Sequence, residues 1–189
     1  MNNFGESMLN KYTFFWSGPF SQWYPSPFED DDCDGDRTLH FNCAEQYMMY
    51  WKAIIFGDQS IAEEILKEPQ PSRQQALGRT VKRFNQATWD KVKEAIVFNG
   101  NVLKYDQNDH LYTVLQATRG TTLVEASPND TIWGIGLSKD DPRCLNKIHW
   151  LGQNLLGKVL TEVREYLRSC ELKMILPRRV KYYRYLMKE

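Results

Sequence analysis

The sequence predicts an α+β fold, mostly helical around a small β-sheet. Two stretches repeat apolar residues at helical spacing, 89–105 and 153–168. Short aromatic or alternating runs at 12–16, 38–41 and 121–136 read as strands, and glycine- and proline-bearing joints separate the elements. With 189 residues, 42% of them hydrophobic and 25% charged, the chain has the balance of an ordinary globular domain and enough length for a sizeable core.

The elements follow in order. Residues 12–16 are expected as a short aromatic strand. Residues 17–28 hold three prolines and four aromatics, too broken for a regular element, and read as an ordered loop carrying Phe20, Trp23 and Tyr24. Residues 29–36 form an acidic loop before a second strand at 38–41. Asn42 is placed to cap a helix running to about Phe56, with Glu45 at capping-box spacing. A shorter helix is expected over 60–67, stopping before Pro69, then a turn or two over 72–77 with Gly78 just past its end. Residues 89–105 make a longer amphipathic helix, and Asn108 or Asp109 caps another through Ala117. Residues 121–136 read as strand, turn, strand. The turn is Ser127-Pro128-Asn129-Asp130, with proline at its second position. A loop over 138–146 precedes the last helix. The expected organisation is one domain over 1–169 and a basic, tyrosine-rich tail over 170–189.

Composition excludes several classes. Lysine plus arginine equals aspartate plus glutamate at 24 each, so nucleic-acid affinity must come from a local patch. The tail supplies one, with Arg178, Arg179, Lys181, Arg184 and Lys188 among Tyr182, Tyr183 and Tyr185. Such a mix suits single-stranded nucleic acid, and equally a final packed element. The four cysteines form no CxxC and no zinc-finger spacing, and read as reduced thiols of a cytoplasmic compartment. No metal is proposed, because no histidine has a partner at ligand spacing. MNNFGESMLN is not read as a secretory leader, and no apolar run approaches the length of a membrane span. Asp30, Asp32, Asp34 and Gly35 open like a calcium loop, but Phe41 stands where a bidentate glutamate belongs.

The chemistry-bearing residues are few. Strand alternation places Glu125 on one face with Leu123, and the following turn brings Asp130 back towards it, beside Trp133 and Gly134. Glu45 and Lys52 are two helical turns apart and share a face. Lys52 is either a snorkelling surface lysine or a desolvated amine fit for nucleophilic attack. Gly134 and Gly136 do not make a dinucleotide fingerprint and read as sites of close backbone approach. The backbone before Asn154 opens a helix, where N–H groups could hold a phosphate.

Five segments in order and spacing, 14–28, 41–53, 89–105, 123–137 and 150–164, resemble the NADAR family of YbiA-like N-glycosidases. The family commonly has Glu-His-Tyr where this chain has Glu45-Gln46-Tyr47. The resemblance implies metal-independent, cofactor-free hydrolysis of a ribose C1′–N bond by a mostly helical domain. It implies one of two substrates: ADP-ribose on guanine in nucleic acid or nucleotide, or a ribosylamino-pyrimidine phosphate of early riboflavin synthesis. A non-catalytic module binding ADP-ribose or NAD is the reading of another class. By the same resemblance Lys52, Glu45 and Asp130 are expected to be catalytic. Substrate contacts are expected at Trp16, Phe20, Ser21, Trp23 and Tyr24. Further contacts are expected at Trp89, Glu125, Trp133, Gly134 and Asn154.

Overall fold

The computed structural model describes residues 11–31 and 37–172. These fall into two compact units, one of residues 11–21 and 110–172, the other of residues 22–31 and 37–109. The elements are β1 (Tyr12–Phe15), β2 (Phe28–Asp31), β3 (Thr38–Phe41), α1 (Ala44–Ile55), α2 (Gln59–Lys67), α3 (Pro71–Arg79), α4 (Gln86–Asp106), α5 (Asp109–Gln116), β4 (Thr122–Glu125) and α6 (Leu155–Leu172). Among the described residues the expected small sheet is two separate strand pairs. β1 lies parallel to β4, with Phe15 opposite Glu125, and β2 runs antiparallel to β3.

In the 22–109 unit, α1 packs against α2, α3 and α4, and almost all of it is buried. Its aromatic spine meets the β2–β3 hairpin. The Tyr47 ring stands edge-on to Phe41 at 5.0 Å, and its hydroxyl donates to Asp30 Oδ2 at 3.1 Å. That bond corrects the acidic-loop reading of 29–36. Residues 29–31 belong to β2, whose alternation turns Asp30 inward while Glu29 and Asp31 stay exposed. A carboxylate held in the core is not available to a surface cation loop. Asp32 to Asp36 lie outside the described residues.

The start of α1 is also corrected. The cap position is Cys43, with no side-chain cap bond, and Glu45 does not close a capping box. Gln46 reaches back instead, its Oε1 accepting from the Asn42 N–H at 2.7 Å. Its Nε2 donates to the carbonyls of Ile65, Leu66 and Glu68 at the end of α2. Gln74 adds bonds to Asn42 Oδ1 and the Glu68 carbonyl. The position where relatives of the resembled family have histidine is therefore a structural clamp in this chain. Gly78 lies inside α3 rather than beyond it, because a Cβ there would meet Met49 Sδ at 2.1 Å; the glycine lets α3 settle onto α1.

In the 11–21 and 110–172 unit, β4 lies between β1 and α6. Val124, Ala126, Ile135, Leu137 and Cys144 form a buried cluster against Tyr12, Phe14 and Trp150. Residues 131–136 are not the second strand that was expected. Their carbonyls accept from the first N–H groups of α6 and its approach. Thr131 bonds Gln153, Ile132 bonds Leu155, Trp133 bonds Leu156, Gly134 bonds Asn154 and Ile135 bonds Leu151, at 2.9–3.2 Å. Helix-start donors must be satisfied somewhere, and here a folded-back loop does it. The approach is so close that a Cβ on Gly152 would lie 2.4 Å from the Gly134 carbonyl oxygen. α6 continues to Leu172, past the end expected near residue 168. The basic, tyrosine-rich segment lies outside the described residues.

Gly152→Ala should destabilise the protein by about 1–3 kcal/mol, the usual cost of forcing an extra carbon into a packed site. Urea unfolding measures it, and an unchanged midpoint would mean that the loop and helix start are not locked together.

Candidate functional site

Each unit contributes its own set of candidate residues. In the 22–109 unit the centre is Lys52, on the last turns of α1. Its stem crosses the half-buried edge of the helix, and Nζ donates to the Gly78 carbonyl at 2.7 Å. The Phe84 ring centroid is 4.4 Å from Nζ and that of Trp89 is 5.8 Å away. Burial pushes the Lys52 pKa below the ordinary lysine value. The Arg79 charge pushes it the same way, and the Glu45 charge opposes both. Of the two sequence readings, a snorkelling surface lysine and a desolvated amine, the surroundings match the second.

Glu45 lies two turns back on the same helix and is 2% exposed. Released from capping, its side chain sits in the interior, and its backbone N–H donates to the Gln22 carbonyl at 3.0 Å. A buried carboxylate and a desolvated amine on one helix are the parts of an acid–base or nucleophilic centre. Trp89 is buried and faces the amine. Trp23 is 44% exposed and Tyr24 half-buried, in the loop that precedes β2. Sequence reading did not single out Phe84, Arg79 or the Gly78 carbonyl. The signal available for Gly78 was a glycine inside a helical pattern, which usually has a packing reason.

A second lysine of this unit, Lys104, is wholly buried on α4, and burial lowers its pKa to about 7. The Cys43 thiol beside it is pushed up to about 11, again by burial first. Its Sγ donates to Gln74 Oε1, which makes it part of the clamp and not a nucleophile.

In the other unit, Asp130 Oδ1 accepts from the N–H groups of Ile132 and Trp133, both at 2.8 Å. The carboxylate thus organises the loop through one oxygen, and Oδ2 carries no hydrogen bond among the described residues. Glu125 ends β4 half-buried, with its N–H held by Asn154 Oδ1 at 2.9 Å and its carbonyl accepting from Ile135. Asn154 is 1% exposed with φ of 54°, and its Nδ2 donates to the Leu123 carbonyl at 3.0 Å. Its amide therefore braces the edge of β4. The expected phosphate cradle before α6 is also corrected, since loop carbonyls occupy those N–H groups. Gly134 is buried where a Cβ would meet the Asp130 carbonyl oxygen at 2.9 Å, so it serves backbone approach. Trp133 is half-buried. Trp16 is 62% exposed, Phe20 packs on Phe15 at 5.6 Å, and the Ser21 N–H closes a turn onto the Gly18 carbonyl. Among the described residues, no three His, Cys, Asp or Glu side chains group to hold a metal ion. No described helix is long and apolar enough to cross a membrane.

The sequence signature described as the NADAR domain matches residues 14–168. The chain belongs to the NADAR family. It is 42% identical over 164 residues to N-glycosidase R617 of Acanthamoeba polyphaga mimivirus, covering 82% of this chain and 96% of that one. It is 41% identical over 158 residues to Protein irg-1 of Caenorhabditis elegans, covering 78% and 74%. It is 32% identical over 150 residues to N-glycosidase YbiA of Escherichia coli, covering 79% and 81%. The NMR structure of E. coli YbiA matches with a TM-score of 0.68 at 28% identity, over 87% of this chain and 89% of that one. The mostly helical architecture is thus the NADAR fold, and the NADAR match spans Glu45, Lys52, Glu125 and Asp130.

The two charges acting on Lys52 have opposite signs, which makes its amine testable. Labelling by an amine reagent as a function of pH, read by mass spectrometry, should give Lys52 a midpoint below the ordinary lysine value of about 10.4. Arg79→Ala should raise that midpoint and Glu45→Gln should lower it further. An ordinary midpoint indifferent to both would remove the desolvated amine.

Proposed function

We propose that this chain hydrolyses the ribose C1′–N bond joining ADP-ribose to a guanine base in a nucleotide or nucleic acid. Its enzyme class is that of an N-glycosidase, a hydrolase of N-glycosyl bonds. The observation that carries the reading is Lys52: an amine whose charge is disfavoured by burial, fixed by one carbonyl and two rings, on the helix that buries Glu45.

Breaking an N-glycosidic bond builds positive charge on C1′ and the ring oxygen, and the departing nitrogen needs a proton. In the proposed route the neutral Lys52 amine attacks C1′ through its lone pair. The C1′–N bond to the base breaks, its electron pair leaves with the base, and that nitrogen takes a proton. Nζ, now bonded to C1′, gives a proton to a carboxylate; its lone pair then expels the ring oxygen, which takes up a proton, and the opened ribose is held as a Schiff base. Water then adds to C1′ and restores the amine, so the net reaction consumes one water. Glu45, whose charge acts on the amine, serves as the proton shuttle. Trp89 and Phe84 keep water away and favour a flat partner. Asp130 and Glu125, which belong to the other unit, are proposed as functional residues on the family resemblance alone. The choice of guanine-linked ADP-ribose over a ribosylamino-pyrimidine phosphate is supported by the basic, tyrosine-rich run at 178–188, which suits a nucleic-acid strand.

Borohydride added during turnover should trap the sugar on the wild-type chain and not on Lys52→Ala. Turnover without an adduct would replace the amine route by direct water attack with a carboxylate as base. Glu45→Gln should slow hydrolysis by roughly 10²-fold or more. Side-by-side incubation with ADP-ribosylated guanosine and with the ribosylamino-pyrimidine phosphate decides the substrate. Release from the second alone would overturn the proposed one, and binding without release from either would make the chain a binding module.

A further inference from the structure

A buried amide pair stands behind Glu45. Asn101, on α4, is wholly buried, and its Nδ2 donates to the Val97 carbonyl one turn back at 2.8 Å. That bond decides which edge of the amide faces the helix. The same Nδ2 donates to Gln22 Oε1 at 2.9 Å, so the turn of the Gln22 amide is decided as well. The Gln22 carbonyl in turn accepts from the Glu45 N–H at 3.0 Å. The result is a relay from the Val97 carbonyl through Asn101 and Gln22 to the first turn of α1.

The relay carries a cost. Asn101 Oδ1 and Gln22 Nε2 are both covered and have no hydrogen-bond partner among the described residues. An aliphatic side chain at 101 would fill similar space without an orphan acceptor, and a buried polar atom left unpaired is destabilising. Native chains keep such atoms where position matters more than stability.

We propose that Asn101 and Gln22 are positioning residues that hold the α1 start, and with it the Glu45 carboxylate, in register for the glycosidase reaction. This rests on the role given to Glu45 above. Neither residue is assigned contact with the substrate. The two act in series: without Asn101 the Gln22 side chain loses its tether, and the loop carbonyl that holds the Glu45 N–H is no longer fixed.

The test compares Asn101→Leu, Gln22→Met and Glu45→Gln with the full-length wild type, measuring kcat, KM and the thermal midpoint of each. Gln22→Met keeps the backbone carbonyl and removes only the tethered amide. Both relay variants should lose about tenfold or more in kcat, the scale of a small misplacement of a reacting group, while KM changes by less than about twofold. The midpoint of Asn101→Leu should stay close to that of the wild type, because losing the orphan acceptor offsets losing the donor to Gln22 Oε1. A purely structural amide predicts the reverse, a lower midpoint with kcat unchanged, and that result overturns the proposal. Should Asn101→Leu fail to fold, Gln22→Met decides alone, since Gln22 is a half-buried loop residue. If Glu45→Gln has full activity, the role of Glu45 fails; if Glu45→Gln is slow and both relay variants are normal, only the relay fails.

Discussion

The structure depends on one constraint, that the first N–H groups of a helix need acceptors. Each unit meets it by folding a loop onto a helix start, and each time the loop or the helix carries a candidate residue. At α1 the Gln22 carbonyl takes the Glu45 N–H, and Gln46 takes that of Asn42. At α6 the carbonyls of 131–135 take five N–H groups between Leu151 and Leu156. Asp130 then closes the same loop through the N–H groups of Ile132 and Trp133. Backbone saturation and side-chain placement are therefore a single event in both units.

This economy explains the small residues. Gly134 and Gly152 lie where two backbones come closer than any Cβ allows, and Gly78 lies where a methionine side chain crosses a helix. The Gly78 carbonyl is also the acceptor for Lys52, so the packing contact between α3 and α1 brings the acceptor to the amine. The rings of Phe84 and Trp89 cover the same amine from the segment that leads into α4 and from its first turn. A cation over aromatic faces keeps part of its stabilisation while losing water. Burial first, and then the Arg79 charge, lower the Lys52 pKa against the opposing Glu45 charge.

Much of the candidate site was legible in the residue order. Glu45 and Lys52 were separated by two turns, Glu125 shared a strand face with Leu123, and five spaced segments carried the family. What could not be read was which polar groups were already spent. Glu45 had the spacing of a capping residue, yet Gln46 takes the Asn42 N–H, and the Asn154 amide is engaged with the backbone of β4. Capping by a neighbour one position along, or by a chain segment thirty residues away, leaves no local pattern in the sequence.

By itself the sequence determined where the helices lie, because their periodicity and end residues are local properties. It also determined that β1, β3 and β4 are strands, and which family the chain joins. Tertiary structure alone decided that residues 131–136 remain a loop, because the acceptors in that stretch face a helix start and not a strand. It alone decided that Lys52 is desolvated, because burial depends on rings and a carbonyl from α3, α4 and the loop between them. Hydrogen-bond partners and dielectric environment are set by whichever segments arrive, and no single segment encodes them.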